Sequence, residues 1–125
     1  MKAGDTFFLA GGAADRHLRV IISDPSIDPQ RVLFVSMTSY DVSKEDVCLL
    51  DVADHPFVQH KTCIAYGDAR EAPLEALIKL RDAGHLRLSE PVSSELLDRI
   101  RRGVSLSRRI KLKHLELMLD QGLLD

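Results

Sequence analysis

A chain of 125 residues has the commonest size for a single domain and can bury a core without disulfides or metal. Hydrophobic residues at 45% and charged residues at 29% exclude a disordered chain, and no apolar run is long enough for a membrane span. The net charge of −2 hides an asymmetry: Arg99 to His114 holds seven basic residues and no acid, so that segment carries +7 and the remainder −9.

The opening Met1-Lys2-Ala3-Gly4-Asp5 meets an acid and the polar Thr6 before any apolar stretch forms, so no secretory signal is expected. Short apolar runs separated by turn residues then follow, the pattern of an all-β barrel or sandwich. Thr6 to Ala10 is the first predicted strand, broken by a flexible loop over Gly11 to Asp15. His17 to Ser23 (HLRVIIS) is continuous and β-branched, as a central strand should be. Arg31 to Thr38 and Val47 to Leu50 are the third and fourth strands. Asp51 to Gln59 is a loop containing Pro56, and Lys61 to Tyr66 is the fifth strand. Cys48 and Cys63 sit inside apolar β-like runs and read as small buried hydrophobes of a reduced cytoplasmic protein.

The period changes at Pro73. Leu74, Leu77, Ile78 and Leu80 follow a helical repeat that Gly84 ends. A second helix begins at the capping signal Ser93-Ser94-Glu95 and stops at Gly103. A third runs from about Ser107 to Gln121. These boundaries predict one domain over 1–125, with a β core over 1–72 and a helical extension over 73–125. That extension either packs on the β core or reaches towards a partner. Its basic residues, Arg101, Arg102, Arg108, Arg109 and Lys111 among them, fit either a solvated helix face or a surface for RNA or an acidic protein. His114 reads as part of the same face, and His85 as an exposed helix cap.

Histidine is the side chain that changes charge near neutral pH. His17 opens the second strand, and His55 and His60 flank a loop. Pro56 prevents a regular helix between those two, and no further ligand stands at a familiar spacing, so neither a metal nor a cofactor is expected. Two readings of the pair stay open: His55 caps the loop and His60 faces water, or one of them serves catalysis. Metal-free RNA cleavage needs a base, an acid and donors for the phosphorane charge. Arg16, His17, Arg19, Thr38, Ser39, His55 and His60 all fall at strand ends or in neighbouring loops, where such groups can converge.

Gly4-Asp5-Thr6-Phe7-Phe8 resembles the opening strand of the PemK/MazF (Kid-like) toxins of toxin–antitoxin pairs. His17 to Ser23 looks like that family's "RPxLVIS" strand, Arg31 to Ser39 like the strand ending in "TS", and Lys61 to Arg70 like its later "D-(Q/A)" strand. The likeness covers roughly Lys2 to Leu80. It implies a mainly β fold with α elements, an SH3-like small barrel followed by C-terminal helices. It also implies a homodimer, a cognate antitoxin partner and an endoribonuclease acting on single-stranded RNA. On that resemblance Thr38 falls on the motif threonine with Ser39 beside it, and His17 falls where the family carries its catalytic arginine. Histidine there can supply a proton or one positive charge but not the fork of donors, so Arg16 or Arg19 would steady the phosphate. A barrel without activity that binds protein or nucleic acid is the alternative.

Overall fold

The computed structural model describes residues 1–11 and 16–124. Most of the loop expected over Gly11 to Asp15, from Gly12 onwards, lies outside the described residues. The chain is a mixed α/β protein. Its strands are β1 (Thr6–Leu9), β2 (Arg19–Ile21), β3 (Val32–Ser39), β4 (Leu49–Leu50), β5 (Thr62–Ala72) and β6 (Leu86–Ser89). Its helices are α1 (Leu74–Asp82), α2 (Ser94–Leu106) and α3 (Leu112–Asp120).

All strands join one antiparallel sheet in the order β4-β5-β3-β2-β1-β6. The expected barrel closure is not seen, because β4 and β6 stand at opposite ends of the order and do not pair. Nor does the sheet end at residue 72. Leu86–Ser89 returns after α1 and pairs along the whole of β1. The four residues of this strand, set between a helix-ending Gly84, at φ +82°, and Pro91, are too few to show a period of their own. The free edge of β1 decides the matter by supplying hydrogen-bond partners.

Alternation along the strands builds two cores. On one face, Val20 and Ile22 of the second strand region meet Leu33, Val35, Met37, Ile64 and Tyr66, and α2 and α3 cover them with Leu96, Ile100, Val104, Leu117 and Met118. The helical extension therefore packs on the sheet. On the other face, Phe7, Ile21, Val32 and Phe34 pack beneath Leu77 of α1 and beside Leu86, with Phe7 and Phe34 edge to face at 5.2 Å between centroids. α1 covers only part of this second face. The remainder, around Arg19, Ser36, Thr38 and Ala65, is lined as open grooves.

Two departures from the sequence pattern shape those grooves. First, β5 is longer than the expected Lys61 to Tyr66 and is interrupted by a bulge. Phe34 pairs with Arg70 but Ser36 pairs with Ala65, so Val35 alone faces Tyr66 to Ala69. Such an insertion bends and twists the strand. Tyr66 and Ala69 turn into the core while Gly67 and Asp68 stand in solvent.

Second, α2 runs through Gly103 to Leu106, and the third helix starts at Leu112 rather than near Ser107. The Glu45 carboxylate captures the start of the intervening segment. It accepts from the Ser107 hydroxyl at 2.6 Å and the Arg108 backbone N–H at 2.8 Å. Ser107 Oγ in turn accepts from the N–H groups of Arg109 and Ile110, each at 3.1 Å. These bonds give the backbone donors an alternative to a helix. Arg108, Arg109 and Lys111 therefore stand on a connector and not on a basic helix.

His114 is likewise not on a basic face. It is 2% exposed, and its Nδ1 lies 2.6 Å from Glu71 Oε2. Glu71 also receives both Nε and Nη2 of Arg31, at 2.7 and 3.0 Å. The Arg31 guanidinium holds the Glu71 carboxyl below the usual carboxylate range; burial opposes this and the His114 bond reinforces it. A carboxylate so depressed stabilises the fold fully above its unfolded value, about 4.3, and that contribution is lost as pH falls through the lower folded value. Glu71→Gln should therefore cost about 1 kcal/mol at neutral pH. Urea unfolding of both proteins should show the gap closing in acid, and a gap constant with pH would rule out this account.

Candidate functional site

The uncovered part of the second sheet face and the loops beside it form a cleft and two grooves. The cleft, about 380 Å³, is lined by Arg16, His17, Met37, Thr38, Ser39, Phe57, Gln59, His60 and Thr62. A groove of about 290 Å³ shares His17 and Thr38 with it and adds Arg19, Ser36, Asp68 and Arg70. A second groove, about 190 Å³, shares Thr38 and adds Lys44, Glu45, Gly67, Asp68 and Arg109. Thr38 is the point where all three meet.

His17 ends the loop before β2. Its Nδ1 lies 3.2 Å from the Met37 carbonyl. A carbonyl only accepts, so Nδ1 carries the proton and Nε2 is the acceptor nitrogen of the neutral ring. His60 precedes β5, and its Nε2 lies 2.6 Å from Ser39 Oγ. Its backbone carbonyl accepts from the Thr62 hydroxyl at 2.9 Å. Pairing of Ser39 with Thr62 at the β3–β5 end brings these residues side by side.

His55 does not join them. It is 3% exposed, Nδ1 accepts the Phe57 N–H at 3.0 Å, and Nε2 donates to the Glu90 carbonyl at 2.7 Å. Both ring nitrogens are occupied, so His55 pins its loop to the end of β6 and has none left for a proton transfer or a metal. Of the two open readings of the His55/His60 pair, the capping one describes His55, and His60 alone lines the cleft.

Of the expected phosphate-binding residues, Arg16, Arg19, Ser39 and Arg109 line the cleft or its grooves. Arg19 is 8% exposed and its Nη1 donates to the His17 carbonyl at 3.3 Å, so it also braces the loop that carries His17. Arg109 donates to the Ser43 carbonyl at 2.9 Å. A Cβ on Gly67 would stand 3.3 Å from Arg109 Cβ, so a bare glycine in the bulge lets the connector come close. Arg101 and Arg102 lie elsewhere, in a groove with Leu106, Leu123 and Leu124. Arg101 donates to the Ile22 carbonyl at 2.9 Å, and burial lowers its pKa. Arg99 is similarly committed to Asp54 and the Leu49 carbonyl, both at 2.6 Å. Arg108 and Lys111 are exposed.

Sequence reasoning missed Lys44, Gln59, Asp68 and Arg70. Lys44 Nζ donates to the Ser39 carbonyl at 2.6 Å and lies 3.4 Å from Thr38 Oγ1. The turn that does this is local: just past the end of β3 the Lys44 N–H donates to the Asp41 carbonyl at 3.0 Å and the Ser43 N–H to the Asp41 carboxylate at 2.8 Å. The D-A-R run of Asp68 to Arg70 was visible as a motif, but not that a bulge would turn its first residue outward.

Chemically, the cleft offers two imidazoles, three hydroxyls and a guanidinium beside a phenyl ring on which a base can stack. Among the described residues no helix is long and apolar enough to cross a membrane. No family model, no curated protein and no solved structure matches the chain.

Proposed function

We propose that the protein is a PemK/MazF-like endoribonuclease that cuts single-stranded RNA without metal. The observation that carries this reading is the shared cleft of Arg16, His17, Thr38, Ser39 and His60. His17 Nε2 takes the proton of a ribose 2′-hydroxyl. The 2′-oxygen bonds to phosphorus, the bond from phosphorus to the 5′-oxygen breaks, and His60 protonates the departing oxygen. Arg16 and the Thr38 hydroxyl donate to the phosphate oxygens as charge builds on them. The products are a 2′,3′-cyclic phosphate and a 5′-hydroxyl. In this reading the sheet is an open, curled relative of the SH3-like barrel, with the bulged β5 supplying the bend. The family likeness adds a homodimer, an antitoxin that covers the cleft and a cytoplasmic setting.

The test incubates purified protein with end-labelled single-stranded RNA in a chelator and looks for cyclic-phosphate ends. Intact RNA at high enzyme would reject the reading. The presence of His17 where the family carries arginine favours a second one: a non-catalytic module that binds RNA or protein through the same surface. RNA bound but never cut, together with a specific co-purifying partner, would select it.

The Arg109 groove gives a separate expectation. Arg109→Ala should weaken RNA binding, leave the rate at saturation nearly unchanged, and lower the slope of log K against log salt by about 1. An unchanged slope, read by fluorescence anisotropy, would remove Arg109 from the RNA path.

A further inference from the structure

The two grooves that meet at Thr38 have cations on both flanks, Arg19 and Arg70 in one and Lys44 and Arg109 in the other. Asp68 lines both. It is exposed and makes no hydrogen bond or ion pair with any described residue. The other carboxylate on these walls, Glu45, is occupied by Ser107 and Arg108. Asp68 is thus the one carboxylate among the described groove-lining residues that is left for a ligand.

A carboxylate repels phosphate. A nucleic-acid backbone drawn along the cations therefore does not run over Asp68; a base edge carrying N–H donors can. The floor beneath it suits a flat ring at Ala65, which lines both grooves and presents a single methyl group, while Arg109 occupies the space over Gly67 and walls the seat on that side. The bases differ in what they offer two adjacent carboxylate oxygens. Guanine presents N1–H and N2–H side by side. Adenine and cytosine present one amino group next to an acceptor nitrogen, and uracil one N–H between two carbonyls. Single-stranded RNA exposes these edges for reading.

We infer that Asp68 is a specificity residue that reads a guanine base of single-stranded RNA, seated over Ala65 next to the His17–His60 cleft. The assignment rests on the ribonuclease reading for its class of ligand. The bulge in β5 is the device that makes it, because regular alternation would not set Gly67 and Asp68 outward together.

The test measures binding separately from cleavage. Fluorescence anisotropy would compare labelled single-stranded oligodeoxyribonucleotides, which lack the attacking hydroxyl, in an adenine host carrying one central guanine, inosine or adenine. The expected result is a preference of about ten-fold or more for guanine over adenine, an intermediate value for inosine, which lacks the 2-amino group, and loss of the preference in Asp68→Asn. Equal binding by the wild type, no binding at all, or a preference that survives Asp68→Asn would overturn the assignment. Cleavage of the matching oligoribonucleotides is read in parallel. Guanine preference without cleavage would sink the ribonuclease reading alone. Cleavage without guanine preference would sink this inference alone. Equal loss of cleavage on every substrate in Asp68→Asn, with base preference unchanged, would move Asp68 into the chemistry and overturn its role as a reader.

Discussion

Replacing His17 by alanine is expected to slow RNA cleavage by about two to four orders of magnitude, the usual contribution of one general acid or base. His60→Ala should do the same, and the double variant should lose little more than either alone, because the two groups act on one transition state. Binding should be nearly preserved, since neither imidazole is required to hold the backbone against Arg16, Arg19 and Arg109. The two positions separate in their pH profiles. A base and an acid working together produce a bell, and removal of each should flatten one limb. His17→Arg restores the residue that the resembling family carries there. If arginine serves better than histidine at this position, His17→Arg should raise the rate; if Arg16 already steadies the phosphate, it should lower the rate as His17→Ala does. His55→Ala is the contrasting control. It should lower thermal stability through the freed Phe57 N–H and the loss of one of two donors to the Glu90 carbonyl, the other being the Thr6 hydroxyl, with a proportionate loss of active protein and no change in the shape of the pH profile. Unaltered cleavage by both His17→Ala and His60→Ala would leave the cleft without its proposed chemistry.

Gly103→Ala should be strongly destabilising, since among Gly4, Gly67, Gly84, Gly103 and Gly122 it is the one whose added methyl would overlap a buried side chain. A Cβ there would stand 1.9 Å from the Tyr66 hydroxyl and 2.6 Å from Tyr66 Cζ. Tyr66 is 1% exposed, so the ring has no solvent to retreat into. Its hydroxyl donates to the Ile100 carbonyl at 2.7 Å, and burial pushes its pKa up, so it stays a neutral donor. Moving the ring sacrifices that bond and strains the packing beneath α2. Overpacking and an orphaned buried hydroxyl together should cost about 3–5 kcal/mol, a fall in Tm of about 10 °C or more. Tyr66→Phe should cost only about 1 kcal/mol. Combining the two should restore part of the loss, because the closest atom is gone while the ring carbon remains too near. That non-additivity, measured by a double-mutant cycle, is the signature of direct contact. Simple addition would mean that Gly103 matters for its backbone and not for its closeness to Tyr66.

Gly103 also shows how one residue type can be misread locally. In the sequence it sits where a helix could end, with Ser105 and Ser107 close behind. Nothing nearby reveals that Tyr66, dozens of residues away, needs the space of its missing side chain. Histidine poses the same difficulty. His17, His55, His60 and His114 are chemically equivalent on paper. Their roles diverge because partners from distant segments reach them: the Met37 carbonyl, the Glu90 carbonyl, the Ser39 hydroxyl and the Glu71 carboxylate.

The residues alone determined the features that arise from neighbours in the chain. The β-branched runs of His17 to Ser23 and Arg31 to Thr38, the helical period after Pro73, and the Ser93 cap, whose hydroxyl accepts the Leu96 N–H at 3.1 Å, all belong to that class. So did the placing of Arg16, His17, Thr38, Ser39 and His60 at strand ends, because strand boundaries are written in local turn chemistry. Tertiary structure decided everything that depends on which backbone groups were left unpaired. The open edge of β1 made a strand of Leu86–Ser89, and the Glu45 carboxylate turned the start of the expected third helix into a connector carrying Arg109. The bulge opposite Val35 put Asp68 into the groove. Burial gave His55 and His114 to the fold. What remained exposed along the uncovered half of the sheet became the cleft, because α1 is too short to cover it.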